Sequence, residues 1–158
     1  AVDGRGLLRI KNVLSRSRIP STWNEAADAL QRAYETHFPA IDREGWMDYA
    51  RRTYADPAGQ PRRDYDPKIL KTLDNIDITQ PLATLWPQFD GLAHVPVMVL
   101  RGENSDILSP DTLEAMQERR PDLEAVTVPG AGHAPFLTEV PVMTRISGFI
   151  TTAEDKRG

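Results

Sequence analysis

The sequence predicts an α/β chain in which a mostly helical first part is followed by a short parallel β-α-β-α unit. Two observations carry that prediction. The first is a pair of short apolar runs, at Val95–Leu100 and Ala125–Val128, with one helical pattern between them. A spacing of about thirty residues from strand to strand with a single helix between is that of a right-handed crossover joining parallel strands. The second is that apolar and aromatic residues before residue 90 repeat at three and four, the period of helices packed on one face.

The elements in order begin with a Gly-rich start, residues 1–6, that suggests no structure. Leu7, Ile10 and Leu14 then fall at helical spacing, with Arg5, Arg9 and Arg16 along another face. The basic run Arg5, Arg9, Lys11, Arg16, Arg18 is read as a solvated helix face rather than a membrane or RNA patch, because the chain as a whole is acidic. Thr22 and Glu25 stand in capping-box spacing and open the clearest helix, whose stripe is Trp23, Ala26, Ala27, Leu30, Ala33 and Tyr34. A further helix from Asp42 carries Trp46, Tyr49, Ala50 and Thr53 on one side. Two such helices joined by a short Pro-containing link suit a helical cap over a cleft, with the aromatic residues mainly packing the cap's own core.

Ala55 to Pro67, with Pro57, Gly59, Pro61 and Pro67, reads as an exposed loop. Lys68–Leu73 is expected to be a short helix, Asn75–Thr79 a polar connection, and Pro81–Phe89 a helix carrying Leu82, Leu85, Trp86 and Phe89. The boundary is placed near Asp90, giving residues 1–90 as cap, 91–152 as core and 153–158 as tail.

Val95, Val97, Met98, Val99 and Leu100 form a short apolar run with a proline at its edge, which favours a strand buried on both faces. Arg101-Gly102 ends it, and Glu103, Asn104, Ser105 and Asp106 follow. Ser109-Pro110-Asp111 supplies an N-cap, a first-turn proline and a first-turn acid. Leu113 and Met116 give that helix its apolar face, Arg119 and Arg120 favour its C-terminus, and Pro121 closes it. After the second strand comes Pro129-Gly130-Ala131-Gly132-His133, then a last helix with Val140, Met143, Ile146, Phe149 and Ile150 as its expected buried face and a polar end from Thr151. Groups that act on ligands in parallel sheets sit beyond the carboxyl ends of the strands, and Asp106 and His133 each follow such an end.

The Val-Leu-Arg-Gly-Glu strand end, the Ser105-Asp106 pair and Val128-Pro129-Gly130-Ala131-Gly132-His133-Ala134-Pro135 resemble the C-terminal part of the α/β-hydrolase family. That resemblance implies the chain order nucleophile, acid, histidine, with Asp106 as the acid and His133 as the base. Glu103, also just past the strand, is the competing acid. Tyr65-Asp66-Pro67 resembles the segment many capped hydrolases carry before their last cap helices. A nucleophile elbow, however, needs Gly-x-Ser-x-Gly or a variant centred on Asp or Cys. None of the six serines, at 15, 17, 21, 105, 109 and 147, has that setting, no Asp does, and cysteine is absent. The family places its nucleophile and oxyanion loop before the segment this chain covers, so the chain looks like the later half of a hydrolase, inactive by itself.

The resemblance implies acyl hydrolysis of a carboxylic ester type by a Ser-His-Asp triad in the full-length protein. Two alternatives stay open: the same fold with an Asp nucleophile, as in haloalkane dehalogenases and epoxide hydrolases, or a non-catalytic, self-associating module. The expected partners are a small-molecule substrate with an apolar part, the N-terminal half of the same protein, and a second copy of the chain through an exposed sheet edge. A net charge of -4 argues against nucleic acid. No apolar run approaches the roughly twenty residues a membrane helix needs, and a soluble, cytoplasmic protein is the expectation. Hydrophobic residues at 40% and charged residues at 27% exclude a compositionally disordered chain. No cofactor is implied. The three histidines, at 37, 94 and 133, are too scattered for a metal site, and no Gly-rich loop follows a strand to cradle phosphate.

Overall fold

The computed structural model describes residues 4–16, 18–74 and 82–155. They fall into two compact units, one reaching Leu82 and the other starting at Ala83.

The first unit is helical. It contains α1 (Gly4–Arg16), α2 (Trp23–Tyr34), α3 (Arg43–Thr53), the strands β1 (Tyr54–Ala55) and β2 (Arg62–Arg63), a 3-10 turn at Pro67–Ile69 and α4 (Leu70–Asp74). Thr22 caps α2 by accepting from the Glu25 amide at 3.2 Å, and the Glu25 carboxylate accepts from Ser21 N at 2.8 Å, one residue before the usual capping-box partner. Asp42 caps α3 through Gly45 N at 2.8 Å.

Ala26, Ala27 and Leu30 of α2 are buried, as are Trp46 and Ala50 of α3. The alanines let the two helices approach closely, and Trp46, 1% exposed, fills the space with most of the apolar area an indole can bury. Tyr49 stands at the centre of an aromatic cluster, its ring 6.0 Å from Tyr34, 6.4 Å from Phe38 and 6.1 Å from Trp46. Burial, with Tyr34 alongside, pushes the Tyr49 hydroxyl up to about 12. Burial likewise raises Tyr54, with Tyr65 and Tyr34 adding to the effect.

The segment expected to be an exposed loop forms a small antiparallel ladder instead, with Tyr54 opposite Arg63 and Ala55 opposite Arg62. Gly59 makes the reversal at φ +76, where other residues are strained, and Pro61 is fully buried. Trp23 reaches across from α2 to donate its indole N–H to Gly59 O at 3.2 Å. The polar connection read at Asn75–Thr79 lies outside the described residues.

The second unit contains α5 (Trp86–Asp90), β3 (Met98–Gly102), α6 (Pro110–Arg119), β4 (Glu124–Val128) and α7 (Val140–Asp155). The helix expected over Pro81–Phe89 is reduced to α5. Pro87 lacks an amide hydrogen and is tolerated only in a first turn, so the helix starts beside it and residues 82–85 are not helical. Arg119 ties α5 to the C-terminus of α6, with an ion pair to Asp90 at 2.8 Å and its guanidinium 4.6 Å from the centre of the Trp86 ring.

β3 and β4 pair in parallel, Met98 opposite Glu124 through Gly102 opposite Val128. α6 lies between them in sequence, capped by Ser109, whose hydroxyl accepts from Thr112 N at 3.1 Å, with Pro110 in its first turn. Burial of β3 on both faces is not found. Met98, Val99 and Leu100 are half-buried because the described sheet has only two strands, and Arg101 and Gly102 are the buried residues of the strand. α7 runs on to Asp155, past the polar end expected from Thr151 and into the 153–158 tail. Thr151 and Thr152 turn their hydroxyls back to the carbonyls of Ser147 and Gly148, at 3.1 and 2.9 Å. Its expected buried face is largely open: Val142 is buried, whereas Val140, Met143 and Ile150 are 75%, 51% and 49% exposed. Among the described residues no helix is long and apolar enough to cross a membrane.

Candidate active site

Because Gly102 is opposite Val128 in a parallel register, the chain leaves β3 and β4 at the same edge of the sheet. The segment after β3 carries Glu103, Ser105 and Asp106, and the segment after β4 carries Gly130 and His133. Backbone bonds stitch the two together. Glu103 N donates to Val128 O at 2.9 Å, and Asn104 N donates to Ala131 O at 2.8 Å. Asp106 therefore lies two residues beyond one end of that last bond, and His133 two residues beyond the other.

The acid-bearing loop has its own internal order. Ser105 N bonds Gly102 O at 3.0 Å, and the Ser105 hydroxyl accepts from Ile107 N and Leu108 N at 3.3 and 3.1 Å, bending the chain around Asp106. Arg101 cinches the same loop from inside. It is 6% exposed and donates to Leu108 O at 2.8 Å and to Glu103 O at 3.0 Å, so its guanidinium holds both ends of the segment in which Asp106 sits. A buried charge is costly unless its donors are matched, and these carbonyls are the match. Asp106 ends up half-buried and His133 exposed.

The histidine-bearing turn is shaped by Gly130, at φ +63, a conformation glycine adopts without strain. Its amide donates to the Glu103 carboxylate at 2.8 Å. The competing acid thus has a backbone partner in the turn that precedes His133. The brace of Arg101 and Glu103 is not read from the sequence, although the Arg-Gly-Glu run at the end of β3 is the signal that marks it: a charged residue kept inside, no side chain, then a carboxylate at the sheet edge.

The other two histidines lie elsewhere. His37 follows α2, with its Nδ1 3.1 Å from the Thr36 hydroxyl. His94 precedes β3, at the opposite edge of the sheet from Asp106, and lines a groove of about 570 Å3 together with Val95, Arg120, Arg145 and Phe149. Arg120, also buried, is occupied there by Leu92 O at 2.5 Å, by Val95 O and by Asp122 at 3.1 Å, while Arg145 pairs with Glu124 at 2.9 Å. These partners make the groove a structural seam. Among the described residues no group of three or more His, Cys, Asp or Glu side chains is placed to hold a metal ion.

Two loops, one with a carboxylate and one with an imidazole, held together past the carboxyl ends of adjacent parallel strands, are the arrangement of an α/β hydrolase. The chain has the fold of the C-terminal part of that family. An α/β hydrolase from Novosphingobium aromaticivorans DSM 12444 is similar to it over 95% of this chain and 53% of its own, with 38% identity and a TM-score of 0.82. E-2-(Acetamidomethylene)succinate hydrolase shares the fold at 24% identity and a TM-score of 0.66, again over 95% of this chain and 53% of its own. In sequence, 71 residues are 35% identical to the 3-hydroxybutyrate-oligomer hydrolase of Cupriavidus necator, 45% of this chain and 24% of that protein. No family model matches. The chain spans about half the length of the solved structures it resembles.

Proposed function

We propose that this chain provides the helical cap, the acid and the base of a serine hydrolase that cleaves carboxylic esters. The observation that carries the reading is the stitching of the loop after β3 to the turn after β4, through Asn104 N and Ala131 O and through Glu103 N and Val128 O. It supports Asp106 and His133 as partners on one rim. In the proposed mechanism the His133 imidazole takes the proton from a serine hydroxyl as that oxygen attacks the ester carbonyl. The Asp106 carboxylate accepts from the other ring N–H, fixes the tautomer and stabilises the imidazolium that forms. His133 then gives the proton to the leaving alkoxide, and the acyl-enzyme is opened by water in the same way.

The nucleophile comes from a segment of the complete protein other than these 158 residues, in which no serine lies in an elbow motif. The ester class is favoured over an Asp-nucleophile reaction by the resemblance to a 3-hydroxybutyrate-oligomer hydrolase, whose substrate units are joined by esters. In the complete protein, His133→Ala and Asp106→Asn are each expected to lower kcat on p-nitrophenyl butyrate by about 10⁴, with KM little changed. The 158-residue chain alone is expected to leave that ester at its background rate. A loss below tenfold in His133→Ala, or turnover by the chain alone that His133→Ala abolishes, refutes the assignment.

A further inference from the structure

Glu103 sits where an acid would, three residues before Asp106, yet its carboxylate is committed to the other loop. One oxygen accepts from Gly130 N at 2.8 Å. The backbone of the same residue is anchored twice more, its amide to Val128 O at 2.9 Å and its carbonyl to the Arg101 guanidinium at 3.0 Å. Glu103 is therefore a rigid post at the end of β3 from which a charged side chain reaches the turn of β4. An ionised acceptor makes a shorter and stronger bond to a backbone N–H than a neutral one does.

Gly130 is the residue whose positive φ sets the direction of the turn, and three residues along the chain that turn presents His133. Fixing the Gly130 amide fixes the base of the turn. His133 itself is exposed, so packing alone does not immobilise it. A base must be held close to the proton it abstracts, and a displacement of about 1 Å is enough to cost a hundredfold in rate.

We propose that Glu103 is a positioning residue for the imidazole of His133, acting through the Gly130 amide, and is not the acid of the site. The inference rests on the hydrolase reading above. It explains why two carboxylates, Glu103 and Asp106, stand so close in sequence beyond one strand: one aims the base and the other is left to serve it.

The test compares Glu103→Ala with Glu103→Gln in the complete protein. Glutamine keeps an oxygen that accepts from Gly130 N, whereas alanine keeps nothing, and the exposed site leaves no cavity on truncation. Glu103→Ala is expected to lower kcat on p-nitrophenyl butyrate by about a hundredfold at unchanged KM. Glu103→Gln should stay within about fivefold of the parent, since the neutral bond is weaker but still aims the turn. Hydrogen exchange at the Gly130 amide gives an activity-free readout: faster in Glu103→Ala by about tenfold or more, close to the parent in Glu103→Gln.

A Glu103→Gln variant as slow as Asp106→Asn makes Glu103 the acid and overturns the proposal. So does full activity, or unchanged Gly130 exchange, in Glu103→Ala. Should His133→Ala prove fully active, the hydrolase reading and the proposal fall together. A dead His133→Ala beside a fully active Glu103→Ala removes the proposal alone.

Discussion

Gly102 lies so close to the histidine-bearing turn that a Cβ built on it would stand 2.0 Å from the carbonyl oxygen of Gly132 and 2.5 Å from that of Ala131. Both obstacles are backbone atoms, which cannot swing aside as the tip of a flexible side chain does. A glycine at the end of β3 is thus what lets the two loops meet closely enough for Asn104 N to reach Ala131 O. Gly102→Ala must push the strands or the turn apart. We expect a destabilisation of about 3 kcal/mol or more, seen as a fall in Tm on the order of 10 °C for a domain of this size. A melt within two degrees or so of the parent would show that the turn has room to retreat and is not locked to the strand.

The placement of Asp106 and His133 was legible because both readings rest on local chemistry: apolar runs that end in Arg-Gly and Pro-Gly, and a Ser-Pro-Asp helix start between them. The cores of α2 and α3 were legible from periodicity, since Ala26, Leu30 and Trp46 fall on the buried faces that the three-and-four spacing marks. What escaped depended on tertiary context. The ladder of Tyr54 with Arg63 is two residues long on each side and is secured by the buried Pro61, a residue that in sequence reads as loop. Pro87 cuts short the helix that the apolar stripe over Pro81–Phe89 suggests, because a residue without an amide hydrogen fits only the first turn. β3 is less buried than its apolar run implies, since such a run reports what a strand is suited to, whereas actual cover depends on how many strands flank it.

Tyr49 makes the stability of the first unit sensitive to alkali. Its hydroxyl is pushed up to about 12 by burial, against an ordinary value of 10.0, so the folded chain keeps a proton there that the unfolded chain releases first. Below pH 10 both states hold the proton and this group adds no pH dependence. Between pH 10 and 12 the folded state binds more protons, and stability falls as pH rises, by on the order of 2 kcal/mol across the window. Thermal melts of the 158-residue chain at pH 9, 10 and 11 should therefore show a steeper decline than those of Tyr49→Phe, which has no proton to lose. Parallel curves for the two proteins would mean that the ring is solvated when ionised.

The open stripe of α7 leads to the last expectation. Val140 and Met143 sit one turn apart at 75% and 51% exposure, and the sequence spaces them with Ile146, Phe149 and Ile150 as a helix spaces a buried face. β3 and β4 form a two-stranded parallel sheet, and parallel sheets are ordinarily flanked by further strands and covered on both faces. We propose that the remainder of the hydrolase covers this stripe in the complete protein and that, without it, copies of the 158-residue chain associate through the same surface. Sedimentation of the chain should then show oligomers that shift toward monomer in Val140→Ser/Met143→Ser. The same pair of changes in the complete protein should lower Tm by several degrees, because each takes apolar surface out of an interface and leaves a hydroxyl there. An unaltered Tm in the complete protein would mean that the stripe faces water there too, and an unaltered sedimentation profile would place the association elsewhere on the chain.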